Sequence, residues 1–116
     1  MDNTLSSKLI SLTKVLEDHK CQDISLLDLT GNCSWADAFI IATVNSKGHL
    51  KGVLKHLLEA IAELDLTVFR QPKNLEDDGW ILVDCGDFLI HLMDKDNREF
   101  YDLEKLWYFG EKIKLV

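Results

Sequence analysis

The sequence predicts a single α/β domain of mixed α+β type, in which helices flank a five-stranded mixed sheet. The chain of 116 residues is long enough to bury one ordinary core. Its 47% apolar and 28% charged residues are typical of a globular protein. Helical and strand periodicities follow one another as helix, two strands, helix, strand, hairpin and short helix, with no linker-like stretch between them. One domain is therefore expected over residues 1–116.

The first helix and the two strands after it are indicated by apolar spacing. The helix is predicted over residues 4–19, where leucines recur at helical steps: Leu5, Leu9, Leu12 and Leu16. Ile24–Leu29 is predicted as a strand that ends in a turn over residues 30–32. Phe39–Val44 is apolar almost throughout, which is typical of a strand buried on both faces.

The second helix is predicted over residues 46–64, with Asn45-Ser46 as its cap. Apolar residues recur along its inner face: Leu50, Val53, Leu54, Leu57, Ile61 and Leu64. A short strand, Thr67–Gln71, and a polar loop over 72–79 should follow. We expect the path from the second strand through this helix to the third strand to be a right-handed parallel crossover.

A β-hairpin is predicted from Trp80–Asp84 and Asp87–Met93, with Cys85-Gly86 as a two-residue turn. In that register Asp84 pairs with Asp87, and the pairing runs back to Trp80 opposite His91. A helical or turn-rich segment over 97–107 follows the hairpin.

The two faces of this hairpin differ in chemistry, because side chains alternate across a strand. One face is entirely apolar and is expected in the core: Ile81, Val83, Phe88, Ile90 and Leu92. The other face is mixed: Trp80, Leu82, Asp84, Asp87, Leu89 and His91. Two carboxylates opposite each other weaken a hairpin. An aromatic side chain beside such carboxylates predicts a docking surface for a basic partner.

The acidic charge is concentrated around the hairpin. The net charge is −7, but residues 76–104 alone carry −8 and the remainder of the chain +1. Ten acidic residues lie in this segment: Glu76, Asp77, Asp78, Asp84, Asp87, Asp94, Asp96, Glu99, Asp102 and Glu104. Such a field repels nucleic-acid phosphate and attracts basic protein surfaces. The alternative is that the acids only keep the surface soluble.

A basic stripe runs along the outer side of the second helix. Lys47, Lys51 and Lys55 recur every four residues, so they share a face that is either an RNA phosphate contact or a solvated surface. His49 and His56 lie seven residues apart on the same helix without an evident third ligand, so no metal site is predicted.

No pattern of catalytic residues is evident. Asp84 and Asp87 invite comparison with carboxylates that hold Mg²⁺ or act as acid and base, but no glycine-rich phosphate loop accompanies them. No nucleophile has an obvious basic neighbour, so we expect no enzyme activity and no cofactor. Cys21, Cys33 and Cys85 show no CxxC spacing and fit reduced thiols of a cytoplasmic protein. Neither a signal peptide nor a membrane-spanning run is recognised.

The chain resembles the Iojap-type ribosomal silencing factors (RsfS) over nearly its whole length. The blocks that carry the resemblance are DISLLDLTG (23–31), ADAFIIAT (36–43), SKGHLKGV (46–53), GWILVDCGDFLIHLM (79–93) and REFYDLEKLW (98–107). The resemblance implies a nucleotidyltransferase-like topology without the catalytic carboxylates. It implies binding to the large ribosomal subunit at ribosomal protein L-fourteen, which blocks association with the small subunit and represses translation. It also implies a role in large-subunit assembly and, in some members, a homodimer.

The chemistry of the hairpin and the family resemblance both predict one partner-binding surface, on the hairpin and the segment after it. Its predicted residues are Trp80, Leu82, Asp84, Asp87, His91, Arg98, Glu99, Tyr101 and Leu103. Trp80 is expected to be the anchor, and Asp84 and Asp87 the acceptors for basic groups. Two other functions stay open: an RNA-binding assembly factor that uses the lysine stripe, and a nucleotide-handling relative of the nucleotidyltransferases.

Overall fold

Six strands form one mixed sheet in a computed structural model, which describes residues 3–31, 33, 36–70, 73–75, 79–103 and 111–113. In chain order the elements are α1 (Asn3–Asp18), β1 (Gln22–Asp28), β2 (Ala38–Thr43), α2 (Lys47–Glu63), β3 (Lys73–Leu75), β4 (Trp80–Asp84), β5 (Phe88–Met93), α3 (Lys95–Tyr101) and β6 (Glu111–Ile113). The strand order across the sheet is β3-β4-β5-β2-β1-β6.

The mixed sheet is confirmed, but the predicted count of five strands is wrong. Four strands of five to seven residues form the centre, and a strand of three residues lies at each edge. β2 and β5 are the parallel pair, whereas the other neighbours are antiparallel. The parallel partner of β2 is therefore the last strand of the hairpin, and not the strand predicted to follow α2.

The strand predicted at Thr67–Gln71 is not present over its described residues, 67–70. Leu66 and Val68 pack against the core while Thr67 and Phe69 are exposed, so an extended segment reproduces the alternation of a strand. Phe69 donates its backbone N–H to the Asp84 carbonyl at 2.9 Å, beside the end of β4. The short strand β3 instead lies within the predicted loop over 72–79.

Two apolar clusters lie on opposite faces of the sheet. The larger cluster packs α1 and α2 on one face, and it includes Leu9, Leu12 and Leu16, which are fully buried as their spacing predicted. The Ser46 side chain accepts a hydrogen bond from the His49 N–H and begins α2 at the predicted cap. The smaller cluster lies on the other side of the sheet, hereafter the second face.

The hairpin register differs from the predicted one by two residues. Trp80 lies opposite Met93, Leu82 opposite His91 and Asp84 opposite Leu89. Cys85 donates its N–H to the Phe88 carbonyl at 3.0 Å, so the central turn residues are Gly86 and Asp87 rather than Cys85 and Gly86. Gly86 takes φ 83°, the conformation that the first position of such a turn requires. A shift of two keeps every side chain on its predicted face.

The segment after the hairpin begins two residues earlier than predicted. Asp94 accepts a hydrogen bond from the Asn97 N–H and caps α3, and Asp102 ends it with φ 42°. Residues 104–107 of the predicted segment lie outside the described residues, as do Glu76, Asp77 and Asp78 of the acidic segment.

Candidate protein-docking site

The second face is apolar at its centre and only partly covered at its margin. The buried cluster on this face comprises Leu27, Leu29, Ala36, Phe39, Ile41, Leu89 and Met93. The partly exposed residues packed on it are Cys33, Trp80, Leu82, Tyr101 and Leu103. Four of these five belong to the predicted partner-binding surface, which the fold thus brings together around one margin of the sheet.

The side chain of Trp80 is hydrogen-bonded to the buried ring of His91. The two residues are diagonal neighbours across β4 and β5, and the Trp80 Nε1–H donates to His91 Nδ1 at 3.1 Å. His91 is only 6% exposed, and its ring packs edge-on against Phe39 with 4.8 Å between centroids. His91 therefore lies beneath the surface and supports the indole, rather than presenting its ring to solvent as the sequence suggested.

Burial determines the charge of His91. Desolvation lowers its pKa to about 4, so the imidazole is neutral at neutral pH. Because Nδ1 accepts the indole N–H, the proton is on Nε2. Nε2 is buried without a hydrogen-bond partner among the described residues.

A continuous series of aromatic rings extends from this pair to solvent. Trp80 and Tyr101 are 4.9 Å apart at their ring centroids, and Tyr101 and Phe100 are also 4.9 Å apart in an edge-to-face contact. Phe100 is 80% exposed. Prediction of the site missed Phe100, because two adjacent aromatic residues do not by themselves reveal which one packs inward. We call Phe100, Tyr101 and Trp80 the aromatic surface.

Arg98 is engaged within the chain. Its Nη1 donates to Thr43 Oγ1 at 3.0 Å and its Nη2 to Ser25 Oγ at 3.3 Å. Both hydroxyl residues are buried. The guanidinium therefore fixes α3 over β1 and β2, and it positions Tyr101 rather than forming part of the margin. Glu99 is exposed and lies 4.0 Å from Lys95, a surface pair of small energetic weight.

The two carboxylates of the hairpin do not face each other, so their predicted pairing is wrong. Asp84 Oδ1 accepts the Gly86 N–H at 2.9 Å, and Asp84 Oδ2 lies 3.7 Å from Arg70 Nε. Asp87 is exposed in the turn, where its carbonyl accepts the Asp37 N–H. Asp84 is therefore a largely covered acceptor beside one cation, and Asp87 is a solvated charge.

Gly79 lets α3 begin directly against the hairpin. Its carbonyl accepts the Asp94 N–H at 2.7 Å, and a Cβ at this position would overlap the side chains of Asp94 and Asn97. The glycine thus brings the cap of α3 against the strand that carries Trp80.

The lysine stripe lies on the other side of the molecule. Lys47, Lys51 and Lys55 are exposed on α2, which packs against the opposite face of the sheet. His49 on the same helix binds inward: its Nδ1 accepts the Asn45 N–H at 2.9 Å and its Nε2 lies 2.6 Å from the His19 carbonyl. A partner on the second face would not contact this stripe without enclosing the domain.

Neither a metal-binding cluster nor a reactive thiol at Cys21 or Cys85 is found among the described residues. No group of three or more His, Cys, Asp or Glu side chains among them is arranged to hold a metal ion. Burial raises the pKa of Cys21 to about 11 and that of Cys85 to about 12, so both remain unreactive thiols. Within the described helices, none is long and apolar enough to cross a membrane.

Comparison with protein-family models matches residues 2–115 to "Ribosomal silencing factor during starvation" (RsfS). A ribosomal silencing factor RsfS of Treponema pallidum is 35% identical over 98 residues, which cover 84% of this chain and 86% of that protein. A mouse protein named for mitochondrial assembly of the ribosomal large subunit is 32% identical over 100 residues, covering 83% of this chain and 43% of that protein.

The fold is also found in a solved structure. A crystal structure of a Chromobacterium violaceum protein superposes with a TM-score of 0.79 at 31% identity, covering all of this chain and 93% of that one. This similarity extends over α1 to β6, and so includes both faces of the sheet.

Proposed function

Because the chain belongs to the RsfS family, we propose that it binds the large ribosomal subunit through ribosomal protein L-fourteen and blocks its association with the small subunit. The observation that carries the proposal is the aromatic surface: a half-buried Trp80 with Tyr101 and the exposed Phe100 at the margin of an apolar face. Aromatic residues of this kind are enriched among those that dominate binding energy.

The surface is ordered before any partner arrives. The hydrogen bond from Trp80 to His91 and the contact with Tyr101 restrict the indole to one orientation. Arg98 and the Asp94 cap in turn fix the helix that carries Tyr101. Binding then requires little further ordering of these side chains, which lowers its entropic cost.

The charge of the segment suits a basic partner. Residues 76–104 carry a net charge of −8, and the described acids of this segment that are exposed include Asp87, Glu99 and Asp102. Such a field accelerates association with a basic protein surface and opposes contact with RNA phosphate on this side. We assign Trp80, Leu82, Tyr101 and Leu103 to the contact, with His91 and Arg98 as positioning residues.

The mechanism is steric. The domain measures 34 × 31 × 29 Å, so a copy bound at the subunit interface excludes the other subunit by its volume alone. No bond is made or broken in this mechanism. Acting on cytoplasmic ribosomes, the protein would repress translation for as long as it stays bound.

A subunit-joining assay tests this mechanism. Purified large and small subunits are mixed with one equivalent of protein per large subunit, and intact ribosomes are measured by gradient sedimentation. We expect the intact-ribosome peak to fall with the wild-type protein and to recover with Trp80→Ala. The triple change of Lys47, Lys51 and Lys55 to Gln is the matched control on the far side, and it should block joining as the wild type does. An unchanged peak with the wild-type protein contradicts the proposal.

The second candidate function is large-subunit assembly through RNA. The mouse relative's name and the exposed lysine stripe favour it. In that case the triple lysine variant should bind subunits more weakly, and its remaining binding should depend less on salt. Trp80→Ala should bind normally. The homodimer of some family members is measured separately by light scattering on the free protein. A dimer that Trp80→Ala dissociates would assign the aromatic surface to self-association.

A further inference from the structure

A cleft of about 380 Å³ opens on the second face, at the turn end of the hairpin. Six residues line it: Phe69, Arg70, Leu82, Asp84, Gly86 and Leu89. Leu82, Asp84 and Leu89 project from β4 and β5 on the second face. Phe69 and Arg70 come from the extended segment after α2, which the Phe69 N–H joins to the Asp84 carbonyl.

The lining combines an apolar wall with a single carboxylate. Leu89 is buried and Leu82 partly exposed, so the two leucines offer a surface for an aliphatic stem. Asp84 lies beside them with its side chain 24% exposed. Lysine and arginine side chains have this composition, an apolar stem ending in a cation, and they pack in this way at protein surfaces.

Among the described residues, the Asp84 carboxylate has one close hydrogen-bond donor and one more distant cation. Oδ1 accepts the Gly86 N–H at 2.9 Å. Oδ2 lies 3.7 Å from Arg70 Nε, which is longer than the roughly 2.7–2.9 Å of a charge-assisted hydrogen bond. The Arg70 side chain is 69% exposed. The arginine therefore neutralises Asp84 at a distance, with most of its side chain exposed to solvent.

We propose that Arg70 is an internal competitor, which occupies the Asp84 carboxylate in the free protein and yields it to a lysine or arginine of the docking partner. The inference rests on the proposed function and specifies the chemistry of its binding surface. The chain's own arginine identifies the kind of group that the cleft accepts. The net charge of −8 over residues 76–104 favours the approach of a cationic side chain of the partner.

Closure of the cleft makes the exchange favourable. A partner seated on Leu82 and Trp80 covers the cleft and removes water from Asp84, and a buried carboxylate without a close cation is costly. Arg70 Nε, which lies 3.7 Å from Asp84 Oδ2, compensates the charge of the carboxylate poorly. A partner cation that reaches hydrogen-bond distance compensates the loss of water, while Arg70 turns to solvent.

The competitor role has a distinct signature in mutants. Arg70→Gln should tighten large-subunit binding by about two- to five-fold, the equilibrium equivalent of one exposed ion pair. Asp84→Asn should weaken it by about tenfold or more, because the partner cation loses its acceptor. In the Asp84→Asn background, Arg70→Gln should no longer tighten binding.

The experiment is a double-mutant cycle on isolated large ribosomal subunits. Dissociation constants are measured for the wild type, Arg70→Gln, Asp84→Asn and the double variant, with folding checked by thermal midpoints. Lys51→Gln is the control for charge, because it removes one positive charge from the far side. We expect it to leave binding within about two-fold of the wild type.

The outcomes separate the inference from the proposed function. Tighter binding by Arg70→Gln that disappears in the Asp84→Asn background supports the exchange. Weaker or unchanged binding by Arg70→Gln, or an equal gain in both backgrounds, overturns the exchange and leaves the ribosomal function standing. Failure of the wild-type protein to bind large subunits overturns both.

Discussion

The indole Nε1 of Trp80 donates a hydrogen bond to Nδ1 of His91, 3.1 Å away, and so joins the most exposed ring of the hairpin to a buried imidazole. The contact requires a neutral His91 with its proton on Nε2. The hydrogen bond is therefore strongest at pH values at which the His91 ring is neutral. The orientation of the proposed anchor and the protonation of one buried ring are thus coupled.

Trp80→Ala should weaken large-subunit binding by about 2–4 kcal/mol, since an anchor residue typically contributes that much. Trp80→Phe should lose less binding, because a ring remains against Tyr101. It should still cost roughly 1 kcal/mol of folding stability, because His91 Nδ1 loses its donor. Binding titrations and denaturant unfolding measure the two effects. Equal binding by all three proteins would remove Trp80 from the contact.

The folding stability should fall with acid in a window set by His91. The unfolded chain binds a proton with the ordinary pKa of 6.5, whereas the folded protein binds one only near pH 4. Between these values the unfolded state binds more protons, so stability decreases as pH falls through the window. The full loss is about 3 kcal/mol.

The control for this prediction is His91→Phe, which keeps an aromatic ring and removes the titration. Urea unfolding at several pH values between 4 and 7 should give a flatter profile for the variant than for the wild type. Two parallel profiles would show that His91 titrates normally and is accessible to water.

Gly86→Ala should destabilise the protein by about 1–2 kcal/mol, because its φ of 83° is unfavourable for a residue with a Cβ. The added Cβ would also displace the Phe69 ring from the turn. Gly52→Ala is the matched control: Gly52 lies within α2, and a Cβ there meets no atom within 4 Å apart from its chain neighbours and the adjacent backbone of its own helix. That change should stabilise by about 0.5–1 kcal/mol. Unfolding midpoints of the two variants should therefore move in opposite directions.

Asp94→Ala should remove the cap of α3 and cost about 0.5–2 kcal/mol. Because α3 carries Tyr101 and Phe100, subunit binding should fall as well. Ser46→Ala removes the equivalent cap of α2, so its stability cost should be similar while its subunit binding stays normal. Loss of binding by both variants would mean that binding follows overall stability and not the position of α3.

The elements with regular apolar spacing were predictable, and those decided by tertiary contacts were not. The leucines of α1 and the fully buried β2 follow from periodicity alone. The Thr67–Gln71 segment has the alternation of a strand, yet its described part satisfies that pattern by packing on the core. Period-two alternation reports which side is buried, and it does not report whether a neighbouring strand supplies hydrogen bonds.

The sequence predicted which face of the hairpin carries the candidate site, but it did not predict the register of the two strands. Trp80, Leu82 and His91 share the second face in either register, because the error in the turn moved the pairing by an even number of residues. The roles of Asp84 and His91 depend on the register and on burial, which no local pattern contains. Arg70 was missed because its relation to Asp84 arises only when the segment after α2 returns beside the hairpin.

Co-sedimentation tests the central claim most directly. The wild-type protein and Trp80→Ala are each sedimented with isolated large subunits, isolated small subunits and intact ribosomes. We predict that the wild type sediments with large subunits alone and that Trp80→Ala stays largely at the top of the gradient. Wild-type protein that remains at the top with large subunits, or that sediments with small subunits, would contradict the account.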